Sequence, residues 1–467
     1  MSDKERSANA VHPAISEQGI DRRTFFRRSA LALGGLAVAG GPLQALMAGS
    51  ARTQTTSGYG PLFEAADENT GLPLIRLPRR FRYLSFGWTG DPLSDGTPTP
   101  ALHDGMDIVA TRRGRVVLVR NHEVGLGTPF GDSAITYDPL AGGGTTNLVF
   151  NRREGQWEGP AVASLTGTIR NCAGGGTPWG SWLTCEENLS TTANATHGWI
   201  FESPAFGQAS PVPLTAMGRF NHEAVAVDRK TGIVYETEDR GTAGFYRFLP
   251  NVPGQLSQGG QLQMLKVVGV QQADLTGSVG VGSTFPVEWV DIPFPERLNS
   301  PGTTDTLGVF MQGFERGGAT FSRLEGCWPA GRRIFFVSTS GGDLGEGQVW
   351  EYRTSKRRLR LIYESPAEAT LDNPDNITVS PRGGLLLCED GDLVGQRLIG
   401  LTQAGDAFPF AQNNVMLNGE KNGIVGDFRD KEWAGACFSR DGEWLFVNIQ
   451  TPGITFAITG PWKKNVL

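Results

Sequence analysis

The sequence predicts an all-β protein, a six-bladed β-propeller. A pattern of two apolar runs separated by a turn recurs six times, at residues 104–123, 171–187, 221–239, 324–340, 374–390 and 433–450. One such sheet cannot bury both of its faces alone, so several must stack around an axis and share a core. Composition agrees, because 64 glycines and 28 prolines separate short β-branched and aromatic runs. Little helical periodicity follows residue 60.

The N-terminal segment has the pattern of an export signal. Arg22 and Arg23 precede two phenylalanines, and the weakly apolar stretch at 31–41 is too short to span a membrane as a helix. We therefore predict a twin-arginine signal peptide at 1–51 and a single β-propeller domain at 52–467, since one propeller absorbs about 400 residues. The expected partner is the twin-arginine export machinery, and the expected location is periplasmic or extracellular, without stable membrane insertion.

Overall charge bears on the possible partners. The net charge is -6 at pH 7 and the acids cluster by repeat, so the sequence offers no basic surface for a nucleic-acid backbone. Nucleic-acid binding is excluded as a main role, and we expect a monomer that acts on small substrates.

Polar side chains stand at matching places in the repeats, just before the first run and just after the second. A propeller would bring these residues together at one end of its central axis, which we call the mouth: Asp104, Cys172, Glu186, Glu187, Glu223, Glu238, Asp239, Glu325, Asp375, Asn376, Glu389 and Asp390. A single Asp or Asn here is explained by turn chemistry, but Glu is a poor turn former. So many carboxylates would repel one another unless cations held them. The mouth is therefore predicted to be a metal site.

The five cysteines divide into two kinds. Those inside or beside apolar strands are expected to be buried core residues: Cys185, Cys327, Cys388 and Cys437. Cys172 follows a polar residue and leads into a glycine turn, so its thiol is predicted to face the axis. A thiolate among carboxylates favours a transition metal, whereas oxygen ligands alone favour calcium or magnesium, and both kinds of ligand are available here.

Several strings resemble the PhoX-type alkaline phosphatases from about residue 60 to 462. The resemblance rests on GTIRNCAGGGTPWGSWLTCEEN (167–188), AMGRFNHEAVAVD with YETED (216–239), FSRLEG (321–326), STSGGDLGEGQVWEY (338–352), LDNPDNITVSPRGGLLLCED (371–390) and EWAGACFSRDGEWLFVNIQTPGITFAITGPW (432–462). It implies a six-bladed propeller whose axial site holds ferric iron and calcium and hydrolyses phosphate monoesters outside the cytoplasm.

The resemblance also implies roles for individual residues. Cys172 matches the cysteine that ligates iron, Arg323 the arginine that meets the substrate phosphate, and Glu325 a metal ligand. The remaining metal ligands fall in the acidic motifs of the family: Glu186, Glu187, Glu223, Glu238, Asp239, Asp375, Asn376, Glu389, Asp390 and Glu432. Lys431 is a candidate for a further phosphate-binding lysine.

The chemistry of the residues favours the same reaction, and two alternatives stay open. Clustered metals stabilise the phosphoryl oxygens and can hold an oxide or hydroxide nucleophile, while Arg323 offers a planar fork for phosphate. The main alternative is a calcium-dependent propeller lactonase or arylesterase with a His or Asp base. The other is a non-catalytic propeller, which predicts exposed aromatic patches where this sequence has carboxylates.

Overall fold

The structure is a computed structural model that describes residues 58–467. The predicted signal peptide lies outside the described residues, and the boundary at residue 52 stays a prediction. Three strands precede the first repeat: β1 (Leu62–Ala65), β2 (Ile75–Pro78) and β3 (Arg82–Phe86). No helix within residues 58–467 is long and apolar enough to cross a membrane.

The other strands follow in groups that correspond to the six repeats. The first three groups are β4 (His103–Arg112), β5 (Arg115–His122), β6 (Gly143–Asn151), β7 (Gln156–Trp157) and β8 (Val162–Thr168); β9 (Asn171–Gly176), β10 (Ser181–Glu186) and β11 (Ile200–Pro204); and β12 (His222–Val227), β13 (Val234–Glu238), β14 (Phe245–Pro250), β15 (Gly260–Val267) and β16 (Thr284–Asp291).

The last three groups complete the regular structure, together with one short helix. The strands are β17 (Leu324–Ala330), β18 (Arg333–Ser338), β19 (Gln348–Arg353) and β20 (Arg358–Glu364); β21 (Pro374–Val379), β22 (Leu385–Glu389), β23 (Arg397–Leu401), β24 (Ala407–Asn413), β25 (Met416–Asn418) and β26 (Val425–Asp427); and β27 (Trp433–Phe438), β28 (Trp444–Ile449) and β29 (Ile454–Thr459). Helix α1 (Gly308–Phe314) and the 3₁₀ turns Ser133–Ile135, Thr215–Met217 and Leu256–Gln258 lie between strands.

Each repeat folds as an antiparallel hairpin of an inner strand and a second strand. The six hairpins are β4–β5, β9–β10, β12–β13, β17–β18, β21–β22 and β27–β28. Local turn chemistry explains the tight turn of the β4–β5 hairpin. Arg112 pairs with Arg115, and the two residues between them, Arg113 and Gly114, have φ of 53° and 87°. Positive φ at both positions is the type I′ geometry that suits the twist of paired strands.

The inner strands form a closed ring. They contact one another in the order β4, β9, β12, β17, β21 and β27, and β27 contacts β4 again. Apolar side chains fill the space between neighbouring sheets; Leu183, Val225 and Tyr246 belong to one such cluster. In the last sheet β29 pairs with β3, so strands from both ends of the described chain complete it. The predicted all-β, propeller-like fold is confirmed, and the six inner strands coincide with the six repeats.

Every inner strand carries a β-bulge near the axis. In β4, the register shifts between the pairs His103↔His122 and Met106↔Arg120, so Asp104 and Gly105 together oppose one residue of β5. Equivalent shifts lie at Cys172–Ala173, Glu223–Ala224, Glu325–Gly326 and Asp375–Asn376. The shift in β27 comes at Gly435–Ala436. A bulge bends the strand and re-aims a side chain, which explains why the acid or thiol that could bind a metal (the ligand-grade residue) stands at this position in the first five repeats.

Small residues after the ligand-grade residue let the inner strands converge. A Cβ on Gly326 would lie 2.6 Å from the backbone nitrogen of Ile377, and a Cβ on Gly105 would lie 2.5 Å from Cα of Ala173. Both distances are too short for a side chain, because backbone cannot retreat as a flexible side chain can. Glycine at these two positions is therefore what permits neighbouring inner strands to bring their acids to one site.

Candidate metal centre

In five of the six inner strands the first residue of the bulge is a potential ligand, and these five strands follow one another around the ring. The five residues are Asp104, Cys172, Glu223, Glu325 and Asp375, and all are buried, at no more than 8% exposed. The sixth inner strand instead contributes the residue that precedes it, Glu432.

The potential ligands form four groups whose oxygen or sulfur atoms lie within 4.8 Å of one another. The groups are Cys172, Glu187 and Glu223; Asp104, Glu123 and Glu432; Glu223, Glu325 and Asp375; and Asp375, Asp390 and Glu432. Because Glu223, Asp375 and Glu432 each belong to two groups, the nine residues make one continuous network. We call these nine residues the axial acid cluster.

The acidic pairs that follow the second strands are split by the structure. The second member of each pair, Glu187, Asp239 or Asp390, lies in the axial acid cluster or beside it: Glu187 and Asp390 are members, and Asp239 pairs with Arg323. The first member is the last residue of its strand and points the other way, as alternation along a strand requires. The first members are Glu186, Glu238 and Glu389.

Glu186 illustrates what the first members do. Its carboxylate accepts hydrogen bonds from the backbone N–H groups of Ile169, Gly198 and Trp199 and from Nδ1 of His197, at 2.7–3.2 Å. Nε2 of His197 donates to Asp138 at 3.1 Å. Burial alone lowers the pKa of His197, but its bonds to the two carboxylates raise that pKa overall. Glu186 therefore fastens a loop within its own sheet.

Glu238 and Glu389 also accept hydrogen bonds from groups outside the axial acid cluster. Glu238 accepts from Tyr246 Oη at 2.7 Å and from the N–H of Gly244 at 2.9 Å, and burial raises its pKa to about 7. Glu389 accepts from both Nε and Nη2 of Arg397, at 2.7 and 2.6 Å. The expectation that both acids of each pair face the metals is corrected here: the structure does not bring Glu186, Glu238 and Glu389 into the cluster.

Two more residues belong to the site, Asn376, which was predicted, and Glu123, which was not. Asn376 donates from Nδ2 to Asp375 at 2.9 Å and accepts from the N–H of Gly435 at 2.9 Å, so it orients a cluster carboxylate. Glu123, which was not among the predicted ligands, lies in the cluster. Aligning the ends of the repeats would have found it, because Glu123 follows β5 as Glu187 follows β10.

The cluster concentrates buried acidic groups. Burial is the main cause that raises the pKa of Asp104, Glu223, Glu325 and Glu432 well above the ordinary range, and neighbouring carboxylates raise each of them further. Burial and then Glu223 raise the pKa of the Cys172 thiol, whose sulfur lies 3.3 Å from the carbonyl oxygen of His222. Without cations these groups hold protons, and cations would let them ionise together. The donor set therefore fits several bound cations.

The other cysteines lie where the sequence predicted. Each belongs to a hydrophobic core cluster: Cys185, Cys327, Cys388 and Cys437. Cys172 alone among the five contributes to a group of potential metal ligands in the described residues. A single thiol among carboxylates is the feature that distinguishes one part of the cluster from the rest.

Two arginines are inserted among the acids. Arg323 donates from Nε to Asp239 at 2.9 Å and from Nη2 to Glu325 at 2.5 Å. Arg170 donates from Nη2 to Glu123 at 2.7 Å and forms a short contact with Glu187. The predicted phosphate-binding residue Arg323 is therefore at the site. Lys431 pairs with Asp430 at 3.1 Å.

The fold and the site together describe a propeller-like protein with an acidic site at its axis. A family model described as Alkaline phosphatase PhoX matches residues 57–453. The chain belongs to the PhoX alkaline phosphatase family, which is metal-dependent. No curated protein sequence matches the chain.

Solved structures resemble the same fold. The structure of Pseudomonas fluorescens PhoX in complex with vanadate, described as a transition-state analogue, aligns with a TM-score of 0.62 and 18% identity, over 85% of this chain and 97% of that one. A gluconolactonase of Xanthomonas campestris aligns with a TM-score of 0.43 and 13% identity, over 86% of this chain and 98% of that one. The second likeness is too weak to bear on function.

Proposed function

We propose that this protein is an exported, metal-dependent alkaline phosphatase that hydrolyses phosphate monoesters at the axial acid cluster. The observation that carries the proposal is the PhoX family match over residues 57–453. The cluster supports it, because nine buried or half-buried acid and thiol groups converge at one end of the ring of inner strands.

The donor types suggest how the cations divide. Cys172, Glu187 and Glu223 would hold ferric iron, because this group contains the thiol, and the three all-carboxylate groups would hold calcium. Bound cations stabilise the charge on a transferring phosphoryl group and place the attacking and leaving oxygens in line. Asp375 serves two groups and is held in place by Asn376, which fixes the spacing between them.

Arg323 would bind the phosphoryl group. In the structure its guanidinium bridges Asp239 and Glu325, two acids from neighbouring repeats. When cations neutralise these carboxylates, the planar fork has N–H groups to offer to phosphate oxygens, and its charge is permanent. Its side chain is 21% exposed, so it lies near the surface of the site and within reach of a substrate.

Export rests on the sequence alone. Arg22 and Arg23 lie outside the described residues, and the periplasmic or extracellular location stays a proposal. The twin-arginine route carries folded proteins, which suits an enzyme whose cations are bound before export.

One experiment separates phosphatase from lactonase. Purified protein is stripped with a chelator, supplied with ferric iron, calcium or both, and assayed with p-nitrophenyl phosphate and with a δ-lactone. We expect phosphate release that needs added cations, and no comparable lactone turnover. Lactone hydrolysis with calcium alone, without phosphate release under any cation, would overturn the proposal.

A further inference from the structure

Arg170 and Arg323 occupy the same place in two repeats. Each immediately precedes an inner strand, and each stands two residues before the ligand-grade residue of a bulge, Cys172 or Glu325. Both have left-handed backbone, with φ of 51° and 46°. Left-handed φ is uncommon for residues other than glycine, so its recurrence marks a position that the surrounding structure enforces.

The backbone bonds of the two arginines match as well. The N–H of Arg170 donates to the carbonyl oxygen of Val124 at 2.9 Å, and that of Arg323 donates to the carbonyl oxygen of Arg240 at 2.7 Å. Val124 and Arg240 each follow the last acid of the preceding repeat. The carbonyl oxygens of Arg170 and Arg323 accept from the N–H groups of Glu187 and Thr339, which each follow a second strand.

The side chains match in one of their two partners. Each guanidinium donates to the acid that directly follows the second strand of the preceding repeat, Glu123 for Arg170 and Asp239 for Arg323. The partner in its own repeat differs, because Arg170 contacts Glu187 after the second strand, whereas Arg323 contacts Glu325 in the bulge. Arg170 is therefore in direct contact with members of two different ligand groups. Its side chain is 37% exposed, against 21% for Arg323, so it is accessible from solvent.

The ring places the two guanidinium groups on either side of one strand. Arg170 precedes β9 and Arg323 precedes β17, and both strands contact β12, which carries Glu223. A phosphoryl group seated over the cations beside Glu223 would have one arginine on each flank. A transferring phosphoryl group has three non-bridging oxygens, more than one planar fork can bind, so a second fork adds charge-assisted hydrogen bonds.

We propose that Arg170 is a second phosphate-binding residue, which flanks the phosphoryl group together with Arg323. The inference rests on the proposed phosphatase function. It gives Arg170 a role that the resemblance of the sequence to its family did not assign, and it predicts that affinity for inorganic phosphate depends on both guanidinium groups.

The test compares Arg170→Gln, Arg170→Lys and Arg323→Gln with a control, Arg240→Gln. Arg240 follows Asp239 but donates to Thr306, at 2.7 and 2.9 Å, and not to the cluster. Each protein is loaded with cations, its bound iron and calcium are measured, and its affinity for inorganic phosphate is determined by calorimetry. Turnover of p-nitrophenyl phosphate is measured separately.

We expect Arg170→Gln to keep its cations and to bind phosphate at least about tenfold more weakly, since a charge-assisted hydrogen bond is lost. Arg170→Lys should recover part of the affinity, and Arg240→Gln should match the wild type. Wild-type phosphate affinity in Arg170→Gln overturns the inference. Cation loss in that variant also overturns it, because Arg170 would then only hold Glu123 and Glu187. An inactive cation-loaded wild type would count against the proposed function instead, since phosphate binding is measured without turnover.

Discussion

Glu186 and Glu187 are adjacent in the chain, yet the structure gives them unrelated roles, and their substitutions should fail differently. Glu187→Gln removes a carboxylate from the group that contains Cys172. Glu186→Gln leaves that group intact and instead replaces one oxygen of a carboxylate that accepts four hydrogen bonds. The pair is a matched test, because both changes convert one acid to its amide in the same motif.

The magnitude for Glu186→Gln follows from its contacts. Whichever oxygen becomes the amide, two N–H donors then face an N–H₂ group, and His197 loses a charged partner. Leaving buried donors unsatisfied costs about 1–3 kcal/mol each, and breaking a buried charged pair costs about 3–5 kcal/mol. At about 2.1 cal/mol/K per residue of unfolding entropy, the loss of the charged pair alone lowers the melting temperature by roughly 4–6 °C, and the unsatisfied donors lower it further. The content of bound cations should not change.

The assay is the melting temperature measured against added iron and calcium, with bound metal determined on the same samples. Glu187→Gln should bind less iron, and its melting temperature should rise as cations are added, because ligand binding favours the folded state by mass action. Glu186→Gln should melt lower at every cation concentration. Loss of iron in Glu186→Gln, with normal iron in Glu187→Gln, would refute the assignment of Glu187 to the axial acid cluster and of Glu186 to the opposite face of the strand.

Three further outcomes are expected. Arg323→Ala should keep its cations and lose roughly a hundredfold or more in turnover, whereas Glu325→Ala should lose cations and activity together; metal analysis with phosphatase assays checks both. In chelator-stripped protein, the free energy of unfolding should fall as the pH rises above about 4.3, because the folded state binds more protons than the unfolded state. The expected fall is about 1.4 kcal/mol per pH unit for each buried acid with a raised pKa. Melting curves from pH 5 to 9, with and without cations, measure this, and an equal decline in the cation-loaded protein would contradict it. Replacing Arg22 and Arg23 by lysine should retain the precursor in the cytoplasm, as fractionation would show; normal export would remove the twin-arginine assignment.

The repeats made the inner part of the fold predictable. Hydrophobic period and turn residues identify each inner hairpin, since both signals are local. The pairing of β16 with β20, which joins two sheets, and of β2 with β24 depends on contacts between distant segments that no local pattern reveals. The bulges are equally hidden, because a register shift has no fixed sequence signature.

The sequence predicted which segments meet at the candidate site, but not which way each acidic side chain points. A pair of acids directly after a strand indicates that this strand end lies near the axis. Only the register of the strand decides which of the two side chains faces the axis. Glu186, Glu238 and Glu389 face away from it. The sequence also carries a signal for Glu123 and Arg170, namely their matching positions in the repeats. Aligning RNC at 170–172 with RLE at 323–325 pairs Arg170 with Arg323. The two residues share a left-handed backbone, and each donates to the acid that follows the second strand of the preceding repeat.

Bound iron in Cys172→Ser, compared with Cys388→Ser, tests the central claim most directly. Cys172 lies among carboxylates at the axis, whereas Cys388 is a fully buried core residue. With iron and calcium supplied, Cys172→Ser should lose iron and most of its phosphatase activity. Cys388→Ser should keep both and lose at most about 1–3 kcal/mol of stability. Equal iron and equal phosphate release in the two variants would contradict a metal-dependent phosphatase site at the axis of this propeller.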